Sequence, residues 1–310
     1  MTNIHIPPHL DISVIIVNWN TRQLLAQAIR SVQQTFGKLS VEIIVVDNGS
    51  TDGSQDMLRS HFPLVKVVQN TENVGFARAN NQGARLARGE FLLLLNSDAE
   101  LYPNAMQSML EVMRAHPKAG IVGANLRNPG GSFQASHTPF PTLTQEFLIL
   151  SGLGRALYGA HYPSRGPEED IGPQRVDYIE GACMLIRREP YLEVGGMDEG
   201  YFMYAEEVDL CYTFVQHGWE VWYQPAARVL HHGGGSSRNR RAAREGDLYQ
   251  SRVRFFRKWR GSMQAEALKA LIYLLTFVKW GIHNALRILS HGRRGRTVIS
   301  PSALHQKLKT

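Results

Sequence analysis

Phe91-Leu92-Leu93-Leu94-Leu95-Asn96-Ser97-Asp98-Ala99-Glu100 is the stretch that decides the fold. Five consecutive apolar residues stop abruptly at an amide, a hydroxyl and a carboxylate. A short apolar run between polar residues predicts a fully buried strand. Such strands belong to sheets covered by helices on both faces, where ligands bind beyond the carboxyl ends of the strands. Asp98 is thereby placed like a metal-site or phosphate-site residue, and the rest of the chain decides which ligand it serves.

The same pattern repeats upstream. Residues 12–17 are apolar and β-branched and end at Asn18-Trp19-Asn20. A helical pattern follows over 22–34. Residues 41–46 form a second strand that ends in Asp47-Asn48-Gly49-Ser50-Thr51-Asp52-Gly53, and a helix begins over 54–60 with Asp52 or Ser54 as its cap. A short third strand at 65–68, a helix at 77–87 and a helix at 103–115 with Pro103 in its first turn complete the series. Strands alternating with helices over the first 125 residues predict an α/β fold with a parallel sheet covered on both faces. Residues 128–176, rich in Gly, Pro and Ser, read as a long excursion with some helix near 145–157. Then 181–186 is apolar, 188–194 and 206–217 are helical, and 220–223 and 227–230 are short strands. After Gly233-Gly234-Gly235 the composition turns Arg-rich, which divides the chain into 11–237 and a basic, partly amphipathic helical region at 238–310.

The net charge of +7 over 310 residues hides an asymmetry. Residues 1–237 hold 17 Lys and Arg against 24 Asp and Glu, whereas 238–310 hold 17 against 3. An acidic body thus carries a basic tail of the kind that binds nucleic acid or anionic lipid. Cys183 and Cys211 match no metal or disulfide spacing and sit among apolar residues, as reduced core cysteines do. No apolar stretch is long enough to predict a transmembrane helix, and residues 1–10 lack a signal-peptide pattern, so the expected location is the cytoplasm.

In a parallel sheet the strand ends at Asn18, at Asp47 and at Asn96-Ser97-Asp98 lie on one edge and can converge on one ligand. The 47–52 turn offers carboxylates and backbone N–H groups without bulk, or serves as a plain turn with a helix cap. Residues 73–83, dense in amides and glycine, are either a solvated helix start or a ligand-facing loop in which Arg78 meets a diphosphate or a base-proximal group. Glu206, Glu207 and Asp209 offer a carboxylate to accept a proton from a hydroxyl, or simply favour a helix N-terminus. They cannot all face one way, because consecutive helical residues point about 100° apart. His231-His232 at a strand end before glycines is a structural pair or a source of a metal ligand.

With these motifs in order, the chain resembles the inverting nucleotide-sugar glycosyltransferases of family 2, which have the GT-A fold, a Rossmann-like, mostly parallel sheet. It looks most like the rhamnosyltransferase-type members of bacterial polysaccharide assembly. The resemblance runs through 14–20, 45–53, 73–100, 181–212 and 229–236 and covers about 11–237. It implies that Asn18 and Asp47, with Asn48, Arg78, Asn80, Asn96 and Ser97, bind the nucleotide-sugar donor. Asn96-Ser97-Asp98 takes the place of the family's Asp-x-Asp signature, so Asp98 is the main carboxylate ligand of a divalent ion, Mg2+ or Mn2+. His231, with His232 as the alternative, is implied as a further metal or diphosphate ligand. Glu207 is implied as the base, with Glu206 its competitor. Asp198 and Asp209 fall on the acceptor side, and small residues near Gly181 allow close approach of sugar or acceptor. The donor implied is dTDP-rhamnose and the acceptor a glycan or lipid-linked glycan.

The apolar stretch 265–289 contains Lys269 and Lys279 and is flanked by Arg252, Arg254, Arg257, Lys258 and Arg260 and by Arg293, Arg294 and Arg296. It fits an interfacial helix on anionic lipid, which would make the protein peripheral at the inner face of the plasma membrane. The other reading is a helix that packs on the core or on a dimer partner, and the oligomeric state is left open. Two rivals remain. A nucleotidyltransferase or dinucleotide enzyme is weakened by the missing Gly-x-Gly-x-x-Gly turn after the first strand. A nucleic-acid-binding tail would use Tyr249, Phe255, Phe256 and Trp259, but nucleic acid is not the partner assigned here.

Overall fold

Val14, Ile16, Leu93 and Leu95 pack into one hydrophobic layer, while Ile15, Leu92 and Leu94 pack into another. Side chains alternate along a strand, so an uninterrupted apolar run is what a sheet covered on both faces requires. The structure, a computed structural model, describes residues 10–164, 172–234, 241–289 and 299–308. Gly235, Ser236 and the arginines at 293, 294 and 296 lie outside the described residues.

The chain opens with β1 (Ile12–Asn18), α1 (Arg22–Gln34), β2 (Val41–Asn48), α2 (Ser54–His61), β3 (Lys66–Asn70), α3 (Phe76–Leu86) and β4 (Phe91–Asn96). It continues through β5 (Ala99–Leu101), α4 (Ala105–Ala115), β6 (Ala119–Arg127), β7 (His137–Thr138), α5 (Leu143–Ser151) and α6 (Leu153–Tyr158). Then come β8 (Gln174–Val176), β9 (Tyr178–Ile179), β10 (Cys183–Arg187), α7 (Arg188–Glu193), α8 (Glu206–Gln216) and β11 (Glu220–His231). The helices α9 (Arg241–Trp259), α10 (Ser262–Leu289) and α11 (Pro301–Leu308) follow. Two compact units result, one from 1–140, 164–200 and 207–236, the other from 141–163, 201–206 and 237–310.

In the first unit the main sheet has the order β3-β2-β1-β4-β10-β6-β11-β5, with β8 also on β11. The strands β3, β2, β1 and β4 run parallel, as do β6 and β11. The sheet is therefore mostly parallel, but β10 runs antiparallel to both β4 and β6. Helices α1 and α4 cover one face with Leu25, Ile29, Met106 and Leu110, and α3 and α8 cover the other with Ala77, Ala84, Leu210 and Phe214. Cys183 and Cys211 belong to opposite layers, both as free thiols. Burial pushes the Cys183 thiol up to about 12, so it stays protonated and inert.

Three expectations change. The fourth helix begins at Ala105 because Asn104 adopts a left-handed φ of +66°, which leaves Pro103 outside it. The two short strands at 220–230 are one strand, β11, whose register slips between Gln224 and Arg228, where Pro225 has no N–H to offer. Strand β6 was not anticipated, because Gly120 and Gly123 interrupt its apolar pattern. Packing explains Gly123, where a Cβ would lie 2.5 Å from Ile179 Cγ2.

In the second unit Glu146 of α5 is buried and accepts a hydrogen bond from Arg252 of α9 at 2.6 Å. The guanidinium of Arg254 stacks on Tyr201, and Ser251 donates to the Met203 carbonyl. Helix α10 buries Ala265, Leu268, Ile272 and Thr276 along one side. Its opposite side exposes Met263, Leu274, Phe277 and Val278. Among the described residues no helix is long and apolar enough to cross a membrane.

Candidate active site

Register brings the polar strand ends together. Asn18 stands opposite Asp47, and Val17 stands opposite Asn96. Asn18 and Asp47 are fully shielded from solvent, and Asn18 Nδ2 donates to Asp47 Oδ1 at 2.7 Å and to Ser50 Oγ at 3.0 Å. Asp47 Oδ2 accepts from the Ser50 N–H at 3.1 Å and from Gln55 Nε2 at 2.8 Å. The Thr21 hydroxyl contacts Asn18 Oδ1 at 2.7 Å and Ser97 Oγ at 2.8 Å, tying the end of β4 to the start of α1. Asp52 caps the same loop by accepting from the Arg22 N–H and from Ser54. Burial alone would raise the Asp52 carboxyl, but these hydrogen bonds outweigh it and hold it below the ordinary range. Asn48 is buried too and donates to Asn73 Oδ1 and to the Gly75 carbonyl. The 47–52 turn is thus braced by its own polar side chains and by Asn18 and Asn20, which take up its Ser50 hydroxyl and Thr51 N–H.

The second cluster forms where β5 pairs antiparallel with β11, opposing His231 to Ala99. That pairing carries His231 to Asp98 across 133 positions of sequence: His231 Nε2 lies 3.3 Å from Asp98 Oδ1, both side chains largely buried. The Asn96 amide nitrogen is 3.4 Å from the same ring nitrogen. His231 Nδ1 is 2.6 Å from Gln134 Oε1, a contact that the sequence did not announce. His232 turns instead to Glu100, at 3.2 Å. No group of three or more His, Cys, Asp or Glu able to hold a metal is assembled among the described residues. An oxygen and an imidazole nitrogen 3.3 Å apart nevertheless suit a divalent ion that takes its remaining ligands from an anionic substrate and water.

The third feature is at the same edge. The Asn96 N–H donates to the Ala182 carbonyl at 3.0 Å, which sets Gly181 beside the end of β4. A Cβ on Gly181 would lie 3.4 Å from Glu207 Cβ and 3.6 Å from its Cγ, ordinary contact distances, so Gly181 runs alongside the Glu207 side chain. Glu207 is partly exposed. Glu206, which belongs with residues 201–206 to the second unit, is buried, as is Asp209. Of the three acids Glu207 is the one with solvent access.

The remaining candidates stand apart. Asn80 is buried and donates to the Phe76 carbonyl of its own helix. Arg78 is half exposed and pairs with Glu199 at 2.9 Å. Hydrogen bonds from Asn81 and Arg78 hold the Glu199 carboxyl below its ordinary value. Asp198 is partly exposed and accepts from the Gly200 N–H at 2.9 Å. The neighbour of Asn80 matters more for this loop. Asn81 accepts from the Tyr191 hydroxyl at 2.6 Å and the Met197 N–H at 3.0 Å, and donates to the Met197 carbonyl at 2.9 Å. It latches the 195–199 loop to α3, and only its place in an amide-rich run hinted at it.

Comparison with known proteins gives the family and the fold. The family model described as glycosyl transferase family 2 matches residues 13–195. N-acetylglucosaminyl-diphospho-decaprenol L-rhamnosyltransferase of Mycobacterium tuberculosis is 32% identical over 216 residues, which span 64% of this chain and 68% of that protein. Among solved structures, GalNAc-T7 with UDP, GalNAc and Mn2+ superposes with a TM-score of 0.58 at 20% identity, covering 81% of this chain and 48% of that one. The mannosyltransferase PcManGT of Pyrobaculum calidifontis, in complex with GDP-Man and Mn2+, gives 0.56 at 18% identity, covering 96% and 79%. At these identities the two structures speak for the fold, which is that of GT-A glycosyltransferases. From its sequence match and its fold, the chain belongs to glycosyl transferase family 2.

Proposed function

We propose that this protein is an inverting glycosyltransferase that moves a sugar from a nucleotide-diphospho-sugar, dTDP-rhamnose by preference, to a hydroxyl of a glycan or lipid-linked glycan in bacterial cell-surface polysaccharide synthesis. The observation that carries the reading is the arrangement around Asn96. His231 meets both Asp98 and the Asn96 amide, and the Asn96 N–H bonds to Ala182, next to the Gly181 that lies along Glu207. The rhamnosyltransferase activity in the name of the Mycobacterium tuberculosis relative supports the choice of donor. Residues 11–237 serve as the catalytic domain and 238–310 as a helical region attached to it.

In this reading the braced turn at Asp47 and Asn48, with Asn18, seats the nucleoside. Asn96 and Ser97 line the diphosphate, and Arg78 and Asn80 belong to the donor-side helix. Glu207 accepts the proton of the acceptor hydroxyl as its oxygen bonds to the anomeric carbon and the nucleoside diphosphate departs from the opposite face. Asp198 and Asp209 border the acceptor. Mg2+ or Mn2+ held by Asp98 and His231 would supply Lewis-acid neutralisation of the diphosphate charge. We assign the basic tail, with the apolar outer side of α10, to an anionic lipid surface, which makes the protein peripheral at the inner face of the plasma membrane.

The test is nucleoside diphosphate release by the full chain across a panel of nucleotide sugars with Mg2+ or Mn2+. Glu207→Gln should lower kcat by about 10²–10⁴-fold while the protein remains folded, and Asp98→Ala should abolish turnover. Near-normal transfer by Glu207→Gln would reject Glu207 as the base and turn attention to Glu206.

A further inference from the structure

The amides around His231 form a chain whose orientation is set at its far end. Asn128 Nδ2 donates to the Phe133 carbonyl at 3.1 Å and to Ser132 Oγ at 3.0 Å. A carbonyl can only accept, so the amide nitrogen of Asn128 must face it and Asn128 Oδ1 must face the other way. That oxygen accepts from Gln134 Nε2 at 3.0 Å. The same nitrogen reaches the His231 carbonyl at 3.4 Å. Gln134 is therefore turned with its oxygen toward the imidazole, 2.6 Å from Nδ1. An amide oxygen cannot donate, so Nδ1 must carry the hydrogen and donate it. In the neutral ring Nε2 is then the bare nitrogen. Its lone pair is met by the Asn96 amide nitrogen at 3.4 Å and stands beside Asp98 Oδ1 at 3.3 Å, so a nitrogen and an oxygen ligand from distant parts of the sequence are presented side by side.

We infer that Gln134 is a positioning residue: through Asn128 and the Phe133 carbonyl it locks His231 in the Nδ1–H tautomer and aims Nε2, beside Asp98, at a divalent cation. The inference rests on the reading of Asp98 and His231 as the cation-binding pair. Partners that hold the second nitrogen of a metal-binding histidine fix its tautomer and ring direction, and losing one typically costs about 10–100-fold in metal affinity. Gln134 enters this site from the segment after β6, whose backbone is tied back by the Gln134 N–H to the Leu126 carbonyl at 2.9 Å. Gly233, after the histidine pair, lies beside the Gln134 amide, and it is its left-handed φ of +68° that favours glycine there, since a Cβ would meet Gln134 Nε2 at an ordinary 3.6 Å. Any mobile acceptor could satisfy one ring nitrogen. An amide anchored on a backbone carbonyl does more, because it also excludes the other tautomer.

Two measurements on the full-length protein test this. The first follows the ring nitrogens of His231 by nitrogen NMR of 15N-histidine-labelled, metal-free protein, with the His231 signals identified by their loss in His231→Asn. Wild type should show the Nδ1–H form, Gln134→Glu should keep it because a carboxylate still accepts there, and Gln134→Leu should shift it toward Nε2–H. The second is Mn2+ affinity in the presence of dTDP, read by electron paramagnetic resonance of free Mn2+. Gln134→Leu should bind about 10–100-fold more weakly, and Gln134→Glu should stay close to wild type. Unchanged tautomer and affinity in Gln134→Leu, or an Nε2–H ring in wild type, overturns the inference. Mn2+ binding that survives in both Asp98→Asn and His231→Asn would overturn the cation-site reading instead, whatever the tautomer result. A tautomer shift in a Gln134→Leu protein whose melting is unchanged would confirm the positioning role independently of activity.

Discussion

Asp47 separates two ways in which a buried carboxylate can serve a nucleotide site, by touching the ligand or by holding the loop that does. Three donors converge on it, from Asn18, from the Ser50 backbone and from Gln55, and no part of it reaches solvent. In Asp47→Ala the Ser50 N–H loses its acceptor. Asn18 keeps only Ser50 Oγ at 3.0 Å, while partly exposed Gln55 falls back on the Ser50 carbonyl at 3.4 Å. An orphaned buried donor costs about 1–3 kcal/mol and a lost bond to a charged acceptor about 1.5–3 kcal/mol, so the variant should lose about 3–5 kcal/mol. Asp47→Asn keeps the shape but places an NH2 group against either Asn18 or the Ser50 and Gln55 donors. Asn18 can turn its own amide only if the Thr21 hydroxyl, which now donates to its oxygen at 2.7 Å, swings its hydrogen to Ser97 and accepts from Asn18 instead. That variant should lose about 1–3 kcal/mol. Urea unfolding and calorimetric titration with dTDP read both quantities, and affinity should fall in the same order as stability. An Asp47→Asn protein as stable as wild type but unable to bind dTDP would refute the bracing argument and put the carboxylate on the nucleotide.

Further predictions follow from other buried contacts. Burial would raise Glu42, but Lys66, the Ser13 hydroxyl and the Arg88 N–H outweigh it and hold its carboxyl below the ordinary 4.5. Its contribution is therefore complete above that unfolded-state value and is lost as pH falls through the lower folded-state value, so Glu42→Gln should flatten the acid limb of a stability–pH curve. Arg252→Ala leaves Glu146 buried without its partner and should cost about 3–5 kcal/mol in denaturant unfolding, whereas Arg252→Met with Glu146→Leu should recover most of it. Gly123→Ala drives a methyl into Ile179, costing about 1–3 kcal/mol, and Ile179→Ala in the same chain should relieve it on thermal melting. Phe277→Asp with Leu274→Asp should release the protein from anionic vesicles in flotation while leaving nucleotide binding intact; retention would reject α10 as the lipid contact.

Much of the site was legible because burial leaves periodic marks. The runs at 12–17, 41–46 and 91–95 sit in β1, β2 and β4, and their polar ends meet at one edge. What escaped was the non-periodic part. Gly120 and Gly123 disguised β6, since their lack of a side chain reads as a turn when its cause is a neighbour's bulk. The antiparallel course of β10 was equally hidden, because alternation and apolarity are the same in both directions. Gln134 stood in a stretch with no pattern at all, and Asn81 was one amide among several until Tyr191 and Met197 were seen to bond to it.

By itself, then, the sequence determined that a doubly covered sheet would form and that Asn18, Asp47 and Asp98 would emerge at its strand ends, because hydrophobic periodicity is a local record of what must leave water. The tertiary structure alone decided which distant groups those ends would meet. His231 reaches Asp98 only because β5 pairs with β11, and Gly181, which lies along Glu207, comes beside the end of β4 only because β10 returns antiparallel to it. Strand order and direction come from pairing between segments far apart in the chain, and no local pattern of residues encodes them.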